Sequence, residues 1–140
     1  MKTKLIIIFS IFASQFVYGE APKMVFEQNK NQWPQQVKYE ADIPGGKLFL
    51  EQNTFTYLSL ENHNFHDFKR GNTAPVTLHY HSYKVNFENS NKNVEVTGND
   101  RFEWHRNYYL GNDPKKWADN VPVFGEVYYK NLYANVDMKV

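Results

Sequence analysis

The chain has no cysteine among its 140 residues. Disulfides, thiolate metal sites, a cysteine nucleophile and a lipidated cysteine behind a leader are therefore excluded, and stability must come from the core alone. No Asn-x-Ser/Thr sequon occurs either. Both absences suit a bacterial envelope protein better than a eukaryotic secreted domain. Catalytic signatures are missing as well: there is no Gly-x-Ser-x-Gly, no Walker loop and no His-Glu-x-x-His. A large charge of one sign is also lacking. The formal net charge is +1 with no basic run, which argues against nucleic acid or anionic lipid as the main partner.

Long hydrophobic runs are confined to the N-terminus. Lys2 and Lys4 form a short basic region, Leu5 to Phe12 is almost unbroken apolar, and Ala13 to Tyr18 extends it weakly. Val17-Tyr18-Gly19 then supplies small or modest residues before Glu20. This is the pattern of a secretory signal peptide over residues 1–19, followed by one module over residues 20–140. The run falls short of the roughly 20 apolar residues a bilayer span needs, so no membrane insertion is expected after cleavage. The expected location is secreted or cell-surface, in the periplasm or on the outer face of a bacterial envelope. Loss of Lys2 and Lys4 would take the formal charge from +1 to −1.

What the rest of the chain has is strand pattern and turn chemistry. Val37, Tyr39, Ala41 and Ile43 alternate with Lys38, Glu40 and Asp42, which predicts a half-buried strand with the charged residues outward. Pro44-Gly45-Gly46 reads as a turn, Lys47–Glu51 as a second strand, Gln52-Asn53 as a turn and Thr54–Leu60 as a third strand, making a meander. Glu61–Pro75 is polar and without period, an exposed loop that could serve as an adaptable surface. Val76–Phe87 reads as a longer strand, Val94–Val96 as a short one ended by Gly98-Asn99-Asp100, and Phe102–Leu110 as extended. Pro114 is placed to start one helical turn, with Asp113 as its cap and Trp117 folded back as a plug. Val123–Tyr129 alternates, Asn131–Tyr133 reads as a tight turn, and Val136, Met138 and Val140 are in phase in a last strand. The chain stops inside that pattern, which fits either a strand that ends the chain or the front piece of a longer protein. The fold class expected is all-β: a single antiparallel β-sandwich-like domain.

The order and spacing of several short motifs resemble the uncharacterised β-rich N-terminal domain at the front of large secreted proteins of gliding, type IX-secreting bacteria. The residues that carry this are Phe26, Asn29, Gln32, Trp33 and Pro34; Ala41 to Gly46 (including Pro44 and Gly45) with Leu48 to Glu51; and His81, Tyr83, Val85 and Phe87. Asn107-Tyr108, with Leu110, Gly111, Asn112, Asp113, Pro114 and Trp117, is the strongest stretch, and Tyr128 to Tyr133 with Asp137 follows. The resemblance implies a structural position for Asn29, Trp33, Pro34, Pro44, Gly45, Gly46, Gly111, Asn112, Asp113, Pro114 and Trp117. It also implies a larger protein, with β-propeller-type or PKD and other immunoglobulin-like repeats downstream, concerned with adhesion or gliding. Its relatives are expected to carry glycine where this chain has Asn31, the best substitute at a positive φ. The resemblance carries no activity.

Three groups of residues are candidates for chemistry. His79 and His81 share one strand face and could hold a metal with help from His63, His66 or Asp67; Val85 and Phe87 on that face favour a structural pair in the core. Exposed rings could stack on sugars, with Trp33, Tyr109, Trp117 and Tyr129 as the candidates; packing of a disulfide-free core is the competing use. Asp100, Glu103, Asp113, Asp119 and Glu126 offer no evident pair for glycoside hydrolysis. The expected function is a non-catalytic structural or interaction module without cofactors. Its partners would be downstream domains, other envelope proteins or surface glycans.

Overall fold

The computed structural model describes residues 23–60, 79–109 and 111–140. The expected signal peptide and the Glu61–Pro75 loop, with His63, His66 and Asp67, lie outside the described residues, as do Val76 to Leu78 and Leu110. The described strands are β1 (Phe26–Gln28), β2 (Tyr39–Ile43), β3 (Gly46–Leu50), β4 (Thr54–Leu60), β5 (Tyr80–Asn86), β6 (Glu95–Tyr108), β7 (Ala118–Tyr133) and β8 (Val136–Lys139). They form one antiparallel sheet in the order β5-β4-β3-β2-β1-β7-β6, with β8 added beside β7. The expected all-β class holds, but the sheet is a single curled half-barrel rather than two packed layers.

The curl follows from connectivity. β5 and β6 are consecutive in the chain yet stand at opposite ends of the sheet order. Six inter-strand steps of about 4.8 Å would separate them by about 29 Å in a flat sheet. The eight residues from Phe87 to Val94 could span that only if fully extended. They are not extended: Asn89 has φ 57°, and turns occupy Glu88-Asn89 and Lys92-Asn93. The connection is tied to both halves of the sheet, since Asn53 Nδ2 donates to the Asn91 carbonyl at 2.7 Å and the Asn91 N–H donates to the Leu132 carbonyl at 2.8 Å.

Cross-strand register assigns the two faces. One row runs Phe124, Phe26, Ala41, Leu48, Tyr57, Tyr83 from β7 to β5. The next runs Gln28, Tyr39, Leu50, Phe55, Val85. These rows line the inner face, and with Val94, Val127, Tyr129 and Leu132 they build the core. The outer face carries Val123, Glu27, Glu40, Phe49, Thr56 and Lys84 in one row.

Several local expectations change. Gly98-Asn99-Asp100 does not end a strand: β6 runs through it, and Asp100 takes a positive φ of 55° inside the ladder. The pairing stays in step across Asp100, from Asn99 opposite Glu126 to Arg101 opposite Phe124, and the register shifts only further on, between Arg101 and His105, so the turn signal marks a left-handed residue within the ladder. Asn131–Tyr133 does not turn either. β7 continues to Tyr133 and the chain reverses at Ala134-Asn135. Asn131 keeps its positive φ of 52°, and the β7–β8 register slips beside it. The helical turn after Asp113 is a 3-10 turn over Pro114–Lys116, whose Lys115 N–H donates to Asp113 Oδ1 at 3.1 Å. Trp117 does fold back, donating from Nε1 to the Gly111 carbonyl at 3.3 Å, but it stays exposed rather than plugging the core.

Candidate functional site

The segment between β1 and β2 is organised by one side chain. Asn29 Nδ2 donates to the carbonyls of Trp33 at 3.1 Å, Pro34 at 2.9 Å and Val37 at 2.9 Å. Its Oδ1 accepts the N–H groups of Asn31 at 3.0 Å and Trp33 at 3.3 Å. Asn31 sits at φ 84°, the conformation the sequence suggests for this position. The folded segment lays Trp33 on the outer face of the sheet, edge-on to Tyr108 with ring centroids 5.5 Å apart.

Near this cover lies a pair of carboxylates that sequence reasoning missed. Glu27 and Glu40 are directly opposite each other on β1 and β2 and are only 4% and 2% exposed. The Tyr108 hydroxyl donates to Glu27, and Arg106 Nε forms an ion pair with it at 2.8 Å. Lys47 Nζ donates to Glu40, and to Asp42 at 2.9 Å. Burial, then the adjacent Glu27 carboxylate, pushes the Tyr108 phenol well above its ordinary range, so it remains a donor at any physiological pH. Burial also raises the Glu40 carboxyl, with Glu27 and Asp42 adding to the rise and Lys47 opposing it. For Lys47, burial works against the ammonium, but Glu40 and Asp42 outweigh it and raise its pKa. Alternation alone predicts Glu40 to be outward, and it is. What the sequence does not reveal is that the outward face is covered.

The sign of the Glu40 shift gives a pH prediction. A folded pKa above the ordinary glutamate value of 4.5 means that the native state binds the proton more tightly than the unfolded chain. The cost of the buried charge therefore sets in above that value and is complete once pH exceeds the folded pKa. Glu40→Gln removes the cost and leaves Lys47 its contact with Asp42. The variant is expected to match wild type at pH 7 or exceed it by up to about 1 kcal/mol, an advantage that disappears below pH 4.5. Urea unfolding at pH 7 and pH 4 measures both. A variant markedly less stable at pH 7 would show that the Lys47 pairing outweighs burial.

Several clefts lie around this region among the described residues, three of them of about 290 Å³ or more. One of about 330 Å³ is lined by Gln28, Asn29, Asn31, Gln35, Val37, Lys38, Tyr39 and Val96. A second, about 290 Å³ and mostly apolar, lies between Trp33, Pro34, Val37 and Phe49, with Glu51, Thr56 and Lys84 at its side. A third of about 350 Å³ is bounded by Lys23, Met24, Val25, Asp42, Ile43 and Pro44. Neither Glu27 nor Glu40 lines any of the three.

The other sequence candidates scatter. His79 and His81 are both exposed, as is Val85, so the face they share is not core at this end of the sheet. Among the described residues no three His, Asp or Glu side chains converge on a metal-sized site. Tyr129 is fully buried, wedged edge-on against Phe55 and Phe87, and cannot meet a sugar. Trp33 is part-buried against Tyr108. Tyr109 and Trp117 are exposed and pack edge-on to each other, with centroids 5.8 Å apart. Asp113 caps the 3-10 turn. Asp137 also holds a turn: it accepts the Asn131 N–H and the Tyr128 hydroxyl, each at 2.6 Å, and these bonds, the first most of all, lower its pKa.

A family model described as a domain of unknown function (DUF7948) matches residues 26–140. The chain belongs to the DUF7948 family. The match begins at the first residue of β1 and so takes in every described strand. No curated protein and no solved structure matches the chain. Within this DUF7948 domain, the most developed local arrangement is the outer-face cluster of Glu27, Glu40, Arg106, Tyr108 and Lys47. It is internally satisfied: among the described residues no buried side-chain nitrogen or oxygen lacks a hydrogen-bond partner. Such an arrangement fixes a surface in place.

Proposed function

We propose that this DUF7948 domain is a non-catalytic interaction module of a secreted or cell-surface protein, and that it meets its partner on the β4–β5 flank. The observation that carries this reading is the fall of burial along the inner-face rows. Leu48 and Leu50 on β3 are 4% and 0% exposed, whereas Tyr83 and Val85, two strands away, are 50% and 42% exposed. Tyr83 lies flat on Tyr57, with ring centroids 4.9 Å apart and 8° between the planes. A stacked aromatic pair beside an exposed valine at the edge of a core is the composition of an interface centre. β5 carries one charge, Lys84, which points to the other face and pairs with Glu51.

What supports the larger setting is the motif order from Phe26 to Asp137. On it, the domain leads a longer adhesion or gliding-associated surface protein, and the partner is a downstream domain of the same chain or another envelope protein. A second reading, glycan contact through exposed rings, draws on Tyr109 and Trp117; their edge-on packing leaves no shared flat platform, which favours the first reading.

The test is binding of the purified domain to envelope fractions of the source cells. Tyr83→Lys with Val85→Lys is expected to weaken binding at least tenfold and to leave the unfolding temperature within a few degrees of wild type. Undiminished binding by this double variant would remove the β4–β5 flank from the function.

A further inference from the structure

We infer that the 330 Å³ cleft between the β1–β2 segment and Val96 is a binding site for a neutral glycan, separate from the β4–β5 flank. Its polar lining is made of amides. The Asn29 side chain is consumed by its five bonds to the segment's own backbone. The side-chain amides of Gln28, Asn31 and Gln35 make no hydrogen bond to any described residue. Each offers a donor pair and an acceptor on one rigid group, the pattern that reads adjacent hydroxyls of a sugar ring.

Three further observations narrow the ligand. Among the described residues no carboxylate lines the cleft and Lys38 is its one cation, so neither a cationic nor a strongly anionic ligand is selected. The floor is Val37 and Tyr39, both buried, with Val96, an apolar surface suited to the C–H face of a pyranose. A peptide would need unpaired main chain to pair with, and here it is taken: Gln28 pairs with Tyr39 in the β1–β2 ladder, and the Asn29 N–H donates to the Lys38 carbonyl at 2.9 Å. Side-chain amides over an apolar floor are what remain. Asn31 is held at its positive φ by the Asn29 hub, so the backbone position from which its side chain reaches the cleft is set before any ligand arrives.

Affinity gel electrophoresis of the purified chain tests this, with mannan, dextran, laminarin and xylan as neutral polymers, alginate as the acidic one and a Gly-Ser peptide polymer as the peptide probe. At least one neutral polysaccharide is expected to retard wild type, and alginate and the peptide are not. Asn31→Gly, which keeps the backbone conformation, and Gln35→Ala are expected to weaken that retardation at least fivefold each at unchanged unfolding temperature. Tyr83→Lys/Val85→Lys is expected to bind the polysaccharide as wild type does, which keeps this inference distinct from the flank reading. Retardation by none of the neutral polymers, retardation indifferent to Asn31 and Gln35, or preferential retardation by the peptide or alginate would each overturn it.

Discussion

Tyr129→Ala is expected to cost about 3–5 kcal/mol, the range for removing a large buried ring. Tyr129 is 0% exposed at the centre of the core, with the Phe55 and Phe87 rings edge-on against it at 5.8 and 6.5 Å. Its hydroxyl donates to the Glu51 carbonyl at 2.9 Å, which joins β7 to the end of β3 across the half-barrel. Among the described residues there is no second sheet to close over a cavity, so relaxation around the missing ring is limited. Against a total stability of roughly 5–15 kcal/mol, such a loss removes from about a fifth of the stability to all of it. Tyr129→Phe keeps the ring and loses only the hydrogen bond, about 1 kcal/mol. Urea unfolding of the two variants separates packing from bonding. A Tyr129→Ala variant less than about 2 kcal/mol below wild type would mean that the inner face is not the stabilising core.

Gly46→Ala is expected to be as damaging, for a different reason. A Cβ at Gly46 would lie 1.8 Å from the Leu58 carbonyl oxygen and 2.9 Å from its carbon. These are backbone atoms of the paired strand and cannot swing aside. β3 would have to part from β4 at Lys47 and Leu58, and a loss of about 3 kcal/mol or more is expected, at or beyond the upper end for overpacking. Gly45 is the control. It has φ 76° with nothing within 4 Å of the added atom, so Gly45→Ala pays only for the left-handed conformation, about 1–2 kcal/mol. Thermal unfolding of the two alanine variants should rank Gly46 as the more sensitive, and the reverse ranking would place the strain in the turn instead of the strand pairing.

That adjacent pair also shows how far the sequence can be read. Pro44-Gly45-Gly46 announces a turn, and the turn is there. That one glycine is needed for its φ and its neighbour for the closeness of another strand is a tertiary fact. The β2–β4 meander is legible because alternation and turn chemistry are both local, and Thr54–Leu60 is bounded as predicted. Asp100 is not, because a positive φ within a strand and one in a turn draw on the same residues. Among the candidate-site residues, Asn29, Asn31 and Asp113 show their turn and cap roles in the sequence. Glu27 and Glu40 do not, because alternation tells which residues share a face and is silent on what covers it. The cover comes from Trp33 and from Tyr108, which is 81 positions from its Glu27 partner. His79 and His81 fail for the converse reason: their face continues the core face, but at the edge of the sheet where no further strand is described.

The sheet order has a kinetic side. β2 to β5 pair only with chain neighbours, β6 to β8 do the same, and the two groups meet at β1, where Phe26 and Glu27 pair with Phe124 and Val123. Each group can zip from its own hairpins within microseconds. The seam between them closes a loop of nearly the whole domain for two residue pairs of ladder, an entropic toll that local contacts do not offset in advance. The two meanders should therefore form early and independently, and the docking of β1 onto β7 should set the folding rate.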